Sequence, residues 1–213
     1  MTNKTNPATP ARWLTPARLD RLEQITIVIL WVLLARRVYT STNPLAPLIM
    51  VGESAVVIFV LLRRPTEVIS LRLGDWLLAI TATFTPLLIM PADTPAALHA
   101  LIPLGVGLAV VGNAVQLAAK LFLRRSFGIA PANRGIKTGG MYKLVRHPMY
   151  AGYLLIHIGI LLLMPTALNF LIYAISWSAQ IPRLLAEERL LSKDPVYRGL
   201  VAKTRWRLIP GVF

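Results

Sequence analysis

Apolar runs long enough to cross the hydrocarbon of a bilayer recur along this chain, and its positive charges sit between them. A spanning helix needs about 20 apolar residues to bridge roughly 30 Å. The first run goes from Leu22 to Tyr39 and ends in Arg36-Arg37; the second follows a turn at Asn43-Pro44 and stops at Leu62, before Arg63-Arg64-Pro65. A third covers Asp75 to Met90 and a fourth Ala96 to Leu123. From Pro148 to Ile181 the chain is apolar again, interrupted at Met164-Pro165-Thr166, which reads as a helical hairpin. With 55% hydrophobic and only 15% charged residues among 213, a water-soluble domain could not hide its apolar surface. The expected fold is therefore an all-α integral membrane protein: a polytopic bundle of about 5–6 transmembrane helices with a C-terminal hairpin and a cytoplasmic amphipathic tail.

The corresponding division is an N-terminal tail (1–21), four spans (22–123), a basic loop (124–147), the hairpin (148–182) and a tail (183–213). Gly105, Gly107, Gly112 and Ala114 permit close helix approach and mark the fourth span as a candidate for the bundle centre.

The net charge of +14 is distributed as positive-inside topology demands. Lys and Arg number four before the first span, three from Arg63 to Arg72, seven between Lys120 and Arg146 and seven from Arg183 onward, against Arg36 and Arg37 outside. Both termini are thus expected in the cytoplasm, in a bacterial inner membrane, with a retained N-terminal tail instead of a cleaved signal. No nucleic-acid partner is expected, because the charges alternate with apolar runs and form no basic, aromatic-interleaved face. No obligate protein partner is evident. With no cysteine and three scattered histidines, thiolate chemistry and a metal site are not expected.

Two clusters can carry chemistry. Arg146-His147-Pro148-Met149-Tyr150-Ala151-Gly152 opens the hairpin at the water–membrane boundary. Its bland reading is Arg146 on a lipid phosphate, His147 capping a helix that Pro148 begins, and Tyr150 in the interfacial aromatic belt. The second cluster is Glu187-Glu188, an adjacent pair in a chain with nine acids. Neighbouring helical residues point about 100° apart, so the two can serve different roles, or Glu187 pairs with Arg183 one turn back while Glu188 is solvated. Glu53, Asn113, Gln116 and His157 are polar residues within spans, either functional or bonded between helices. His99, near the outer face, reads as structural.

Lys137-Thr138-Gly139-Gly140-Met141-Tyr142-Lys143-Leu144-Val145 runs into the first cluster and is followed by Glu187-Glu188, Arg205 and Pro210. This order and spacing resembles the isoprenylcysteine carboxyl methyltransferase family, itself similar to the phospholipid N-methyltransferases, over about Lys137 to Phe213. The resemblance implies an S-adenosylmethionine-dependent methyltransferase that releases S-adenosylhomocysteine. It implies a donor site of Tyr142, Arg146, His147, Pro148, Tyr150, Gly152, Glu187, Glu188 and Tyr197, with Glu188 and Arg205 in catalytic roles. The acceptor would be lipophilic and reach the site through the bilayer: a carboxylate, a phospholipid amine or a hydrophobic thiol. The family tail often carries a second tyrosine three residues after the position of Tyr197; here it is Leu200, which leaves the acceptor end less defined than the donor end. The alternatives are an NADPH-dependent reductase similar to the sterol reductases, whose motif positions are here Met149 and Tyr153, and a non-enzymatic membrane protein.

Overall fold

Seven α-helices account for most of the computed structural model, which describes residues 16–62, 69–70, 72–123, 126 and 128–213. They are α1 (Pro16–Tyr39), α2 (Pro47–Leu62), α3 (Leu73–Phe84), α4 (Ile102–Leu123), α5 (Pro148–Leu163), α6 (Ala167–Leu191) and α7 (Pro195–Lys203). Among the described residues there is no strand, only one isolated bridge between Ile69 and Ala132. The N-terminal tail assigned to 1–21 and the Arg63-Arg64-Pro65 stop lie largely outside the described residues.

Prolines punctuate the helices. Pro86 turns the end of the third run into a 3-10 turn, Thr85–Leu88, and the fourth run begins as a 3-10 turn, Ala96–Leu101, before α4. Pro148 occupies the first turn of α5, where its missing N–H costs nothing. The interruption at Met164-Pro165-Thr166 separates α5 from α6, and the Thr166 side chain accepts from the Asn169 backbone N–H as a helix cap. Asn169, fully buried, then donates to the carbonyls of Met90 and Met164 and accepts from the Met90 N–H, pinning the hairpin tip to the end of the third run.

α4 and α5 form the closest helix pair, α3 packs on α6 and α1 on α2. The α4–α5 contact is antiparallel and made by glycines seven apart on each helix. A Cβ on Gly112 would lie 2.7 Å from the Gly152 carbonyl, one on Gly152 would lie 2.7 Å from the Gln116 nitrogen, and one on Gly159 would lie 2.6 Å from the Gly105 carbonyl. Backbones this close exclude any side chain. Gly107, by contrast, faces open space, and Ala114 is exposed. α4 is therefore not the bundle centre: its buried residues, Gly105, Ala109, Gly112, Gln116, Ala119 and Lys120, form one narrow face and much of the rest points outward.

Ala96–Leu123 is long and apolar enough to cross a membrane, and Pro47–Leu62, Leu73–Leu88 and Pro148–Leu163 are shorter apolar helices. Outward-facing Ile25, Ile29, Val51, Leu104, Val110 and Phe170, each more than half exposed, belong to an apolar outer surface that water would disfavour. α6 departs from the expected division: it runs unbroken through Pro182, so the boundary drawn at 182/183 falls inside a helix, and Glu187 and Glu188 ride on the second arm of the hairpin. The basic loop is pinned down. Its Ile129, Ala130 and Pro131 are buried, the Ile129 N–H donates to Glu23, and Pro131 accepts from Ser70.

Candidate functional site

The start of α5, the end of α6, α7 and the C-terminal segment converge beneath the basic loop around one carboxylate. Glu188 is buried at 8% exposure, and its Oε1 meets Arg146 Nη1 at 3.0 Å, the Tyr197 hydroxyl at 3.2 Å and His147 Nε2 at 3.3 Å. Its other oxygen accepts from Arg207 Nε at 2.9 Å. Burial alone would raise the Glu188 pKa. The hydrogen bonds from His147 and Arg207, with the charges of His147 and Arg146, outweigh it and pull the value down from 4.5 to about 2. The carboxylate is thus a permanent anion at physiological pH.

Local chain geometry explains how these groups meet. The last segment lies against the entry of α5: the Arg146 N–H donates to the Trp206 carbonyl and the His147 N–H to the Arg207 carbonyl, both at 2.9 Å. Thr204 donates to the Tyr142 carbonyl, and Arg146 Nη2 to the Arg205 carbonyl. His147 stands at the position before α5 but its side chain makes no cap; it turns to Glu188 and stacks on Tyr150, with ring centroids 5.5 Å apart. α7 starts at Asp194, whose side chain accepts from the Val196 N–H and from Asn133, tying the helix to the basic loop.

Beside this cluster lies a small cavity of about 70 Å³. Tyr142, Arg146, His147, Tyr150, Glu187 and Tyr197 are among its walls, with Met149, Leu200 and residues of the basic loop completing it. Glu187 faces the cavity and accepts from the Tyr150 hydroxyl at 2.7 Å. Burial first, and then the nearby glutamate charges, raise the pKa values of Tyr142 and Tyr197, so both hydroxyls stay protonated.

The glutamates therefore divide. Glu187 borders the cavity, whereas Glu188, read from sequence as catalytic, is held by four partners and is not among the lining residues. Tyr142, Arg146, His147, Tyr150 and Tyr197 are brought together at one cavity. Gly152 and Pro148 are not among its walls: Gly152 is consumed by the contact with α4, and Pro148 starts α5. Arg205, the other residue read as catalytic, has an exposed side chain lying 4.8 Å over the Trp206 ring. The arginine that reaches the buried carboxylate is Arg207, which sequence reading passed over. No helical or strand period in this irregular tail sets it apart from Arg205.

A second, smaller cavity, about 20 Å³, lies deeper between α2, α3, α5 and α6, lined by Glu53, Tyr153, His157, Trp177, Gln180 and Arg183 among others. Glu53 and His157 meet here, and His157 also bonds the neighbouring helix through Trp177. Among the described residues, Asn113 and Gln116 bond within their own helix and not between helices. Asn113 donates to the Ala109 carbonyl, Gln116 to Asn113 and Lys120 to Gln116, a ladder along α4 itself. His99 is exposed and bonds Thr94.

Residues 97–197 match the phospholipid methyltransferase family, the family to which the isoprenylcysteine carboxyl methyltransferases belong. The matched segment holds the α4–α5 pair, the hairpin, both glutamates and Tyr197, and ends before Arg205 and Arg207. No curated protein matches the chain.

Proposed function

We propose that this chain, whose residues 97–197 match the phospholipid methyltransferase family, is a membrane-embedded methyltransferase that uses S-adenosylmethionine to methylate a lipophilic acceptor. One observation carries the reading. The cavity is lined by Arg146, whose buried Nε has no hydrogen-bond partner, and by Glu187. An amino-acid donor bears a carboxylate and an ammonium, and these are the two groups that such walls would pair. Tyr142, Tyr197, Met149 and Leu200 offer the aromatic and apolar surface that a purine requires.

When bound, the donor would supply an electrophilic methyl group. The protein supplies alignment, since in-line transfer needs no covalent enzyme intermediate. In this reading Glu188 is a positioning residue: it holds Arg146 and His147 at the cavity wall and joins them to Tyr197 and Arg207. Tyr150 fixes Glu187, which remains available to the donor ammonium or, for an amine acceptor, to a departing proton. The membrane supports the second substrate's approach. The outer apolar surface, Ala96–Leu123 and the shorter apolar helices fit a bundle of five or six spans with both termini and the cavity on the cytoplasmic side, in a bacterial inner membrane.

The test is calorimetric titration of the purified chain in detergent with S-adenosylhomocysteine, and separately with NADPH. Saturable binding of the first alone is expected. Binding of NADPH alone would replace the reading with a reductase, and binding of neither would leave a non-catalytic membrane protein.

A further inference from the structure

The outer cavity is too small for what it would hold, and one of its walls is free to move. Its volume of about 70 Å³ is a fraction of the roughly 300–1,000 Å³ of sites that enclose small molecules. Beside it, along the C-terminal end of α4, runs an open groove of about 630 Å³ bordered by Ala118, Leu121 and Phe122. Ile136 and Lys137 line both spaces and so form the wall between them. Thr138, next in the chain, borders this groove and a further one against α7.

These three residues are held only at their ends. Upstream, the Asn133 amide donates to Asp194 and accepts from the Gly135 N–H, and the Arg134 carbonyl accepts from Ser126. Downstream, the Gly139 carbonyl accepts from the Tyr142 N–H, and the Tyr142 carbonyl from Thr204. Between the two anchorages, and among the described residues, neither the backbone nor the side chains of Ile136, Lys137 and Thr138 make a hydrogen bond. Ile136 and Lys137 are half-buried and Thr138 is exposed, so the segment can leave its place without breaking a bond within the protein. Both flanks carry a glycine in the left-handed region, with φ of +101° at Gly135 and +58° at Gly140, where other residues enter only at a cost. A Cβ on Gly140 would enter the Phe122 ring, so this flank seats on the groove's own aromatic wall.

We propose that Ile136-Lys137-Thr138 is a strap that swings about Gly135 and Gly140. Lowered, as in this structure, it shuts the outer cavity; lifted, it joins the cavity to the groove along α4 and makes one space large enough for a small-molecule ligand. The strap deepens the methyltransferase reading and rests on it in one respect, the identity of that ligand as the donor. Lys137 lines the cavity when the strap is down, so closure adds a cation beside Arg146 and excludes water in the same movement.

The chain has no cysteine, so the strap can be tied down at will. Thr138 and Val196 are exposed and border the same groove against α7, and Thr138→Cys with Val196→Cys can be joined by a short bismaleimide. Two readouts are taken on the full chain in dodecyl maltoside, tied and untied. The first needs no donor: Met149, 7% exposed on the cavity wall, is replaced by Cys in the same pair, and its alkylation by iodoacetamide is timed after tying. Tying should slow that alkylation roughly tenfold or more. The second is the association and release of radiolabelled S-adenosylhomocysteine on the pair without Met149→Cys. Tying before addition should slow association, and tying after loading should slow release, each by roughly tenfold or more. Alkylation at the same rate in tied and untied chains, or association and release untouched by tying, would overturn the strap. If tying slows alkylation as stated while S-adenosylhomocysteine binds neither the tied nor the untied chain, the strap stands and the methyltransferase reading falls.

Discussion

Replacing Glu188 by Gln keeps the shape of the central side chain and removes its charge. The carboxylate now receives Arg146 at 3.0 Å, Arg207 at 2.9 Å, Tyr197 at 3.2 Å and His147 at 3.3 Å. An amide can accept on one oxygen only, and its NH2 group would face a donor with nothing to offer. Two buried or half-buried arginines then lose their counter-charge. Breaking a buried ion pair from one side costs about 3–5 kcal/mol, and the retained acceptor oxygen places this change near the lower end. At about 2–4 °C per kcal/mol for a chain of this size, the midpoint should fall by roughly 6–12 °C at pH 7. The pH dependence carries its own signature. The folded pKa of about 2 lies below the ordinary 4.5, so the contribution of Glu188 is complete above pH 4.5 and drains away as pH falls toward 2. Wild type and Glu188→Gln should therefore differ most near neutrality and converge below pH 4 in thermal unfolding followed by circular dichroism in detergent. Affinity for S-adenosylhomocysteine should fall at least tenfold at pH 7, since Arg146 and His147 lose the group that positions them. Midpoints within 2 °C of wild type from pH 4 to 8, with unchanged affinity, would refute the hub.

Gly152→Ala inserts a methyl group where the α4 backbone already stands 2.7 Å from the ideal Cβ; a loss of about 1–3 kcal/mol is expected, read as a lower melting midpoint. Asn169→Ala takes the side-chain partner from the Met90 N–H and carbonyl, while the Met164 carbonyl keeps the Thr166 N–H, and should cost about 1–3 kcal/mol by the same readout. Arg205→Ala, at an exposed position, should leave calorimetric affinity for S-adenosylhomocysteine unchanged, while Arg207→Ala should weaken it.

Helix positions were legible because hydrophobic length and proline punctuation act locally: Pro148 and the Met164-Pro165-Thr166 break bound α5 as the chain suggests. The small-residue spacing was half legible. Gly105 and Gly112 repeat every seven residues and pack, but only the partner's Gly152 and Gly159 reveal which of the four small residues face inward. The outer cavity was legible in part, since His147 and Tyr150, three residues apart at the start of α5, both line it. The choice between Arg205 and Arg207 was not, because the chain after α7 is irregular and neither helical nor strand period says which side chain turns in. The deeper cavity had a readable signal that a boundary at 182/183 concealed. Ser176, Gln180, Arg183 and Glu187 are spaced four, three and four, a single polar stripe on α6.

That stripe makes α6 a ruler. With a rise of 1.5 Å per residue, Arg183 and Glu187 stand about 6 Å apart along one rigid axis, and no loop lies between them to absorb error. Arg183, fixed by Thr83, Gln180 and the Ile129 carbonyl, is thereby kept in register with Glu187 at the outer cavity, so a displacement of one is carried to the other. One residue inserted between 183 and 187 would turn the glutamates by about 100° as well as shift them, and would uncouple the two marks outright.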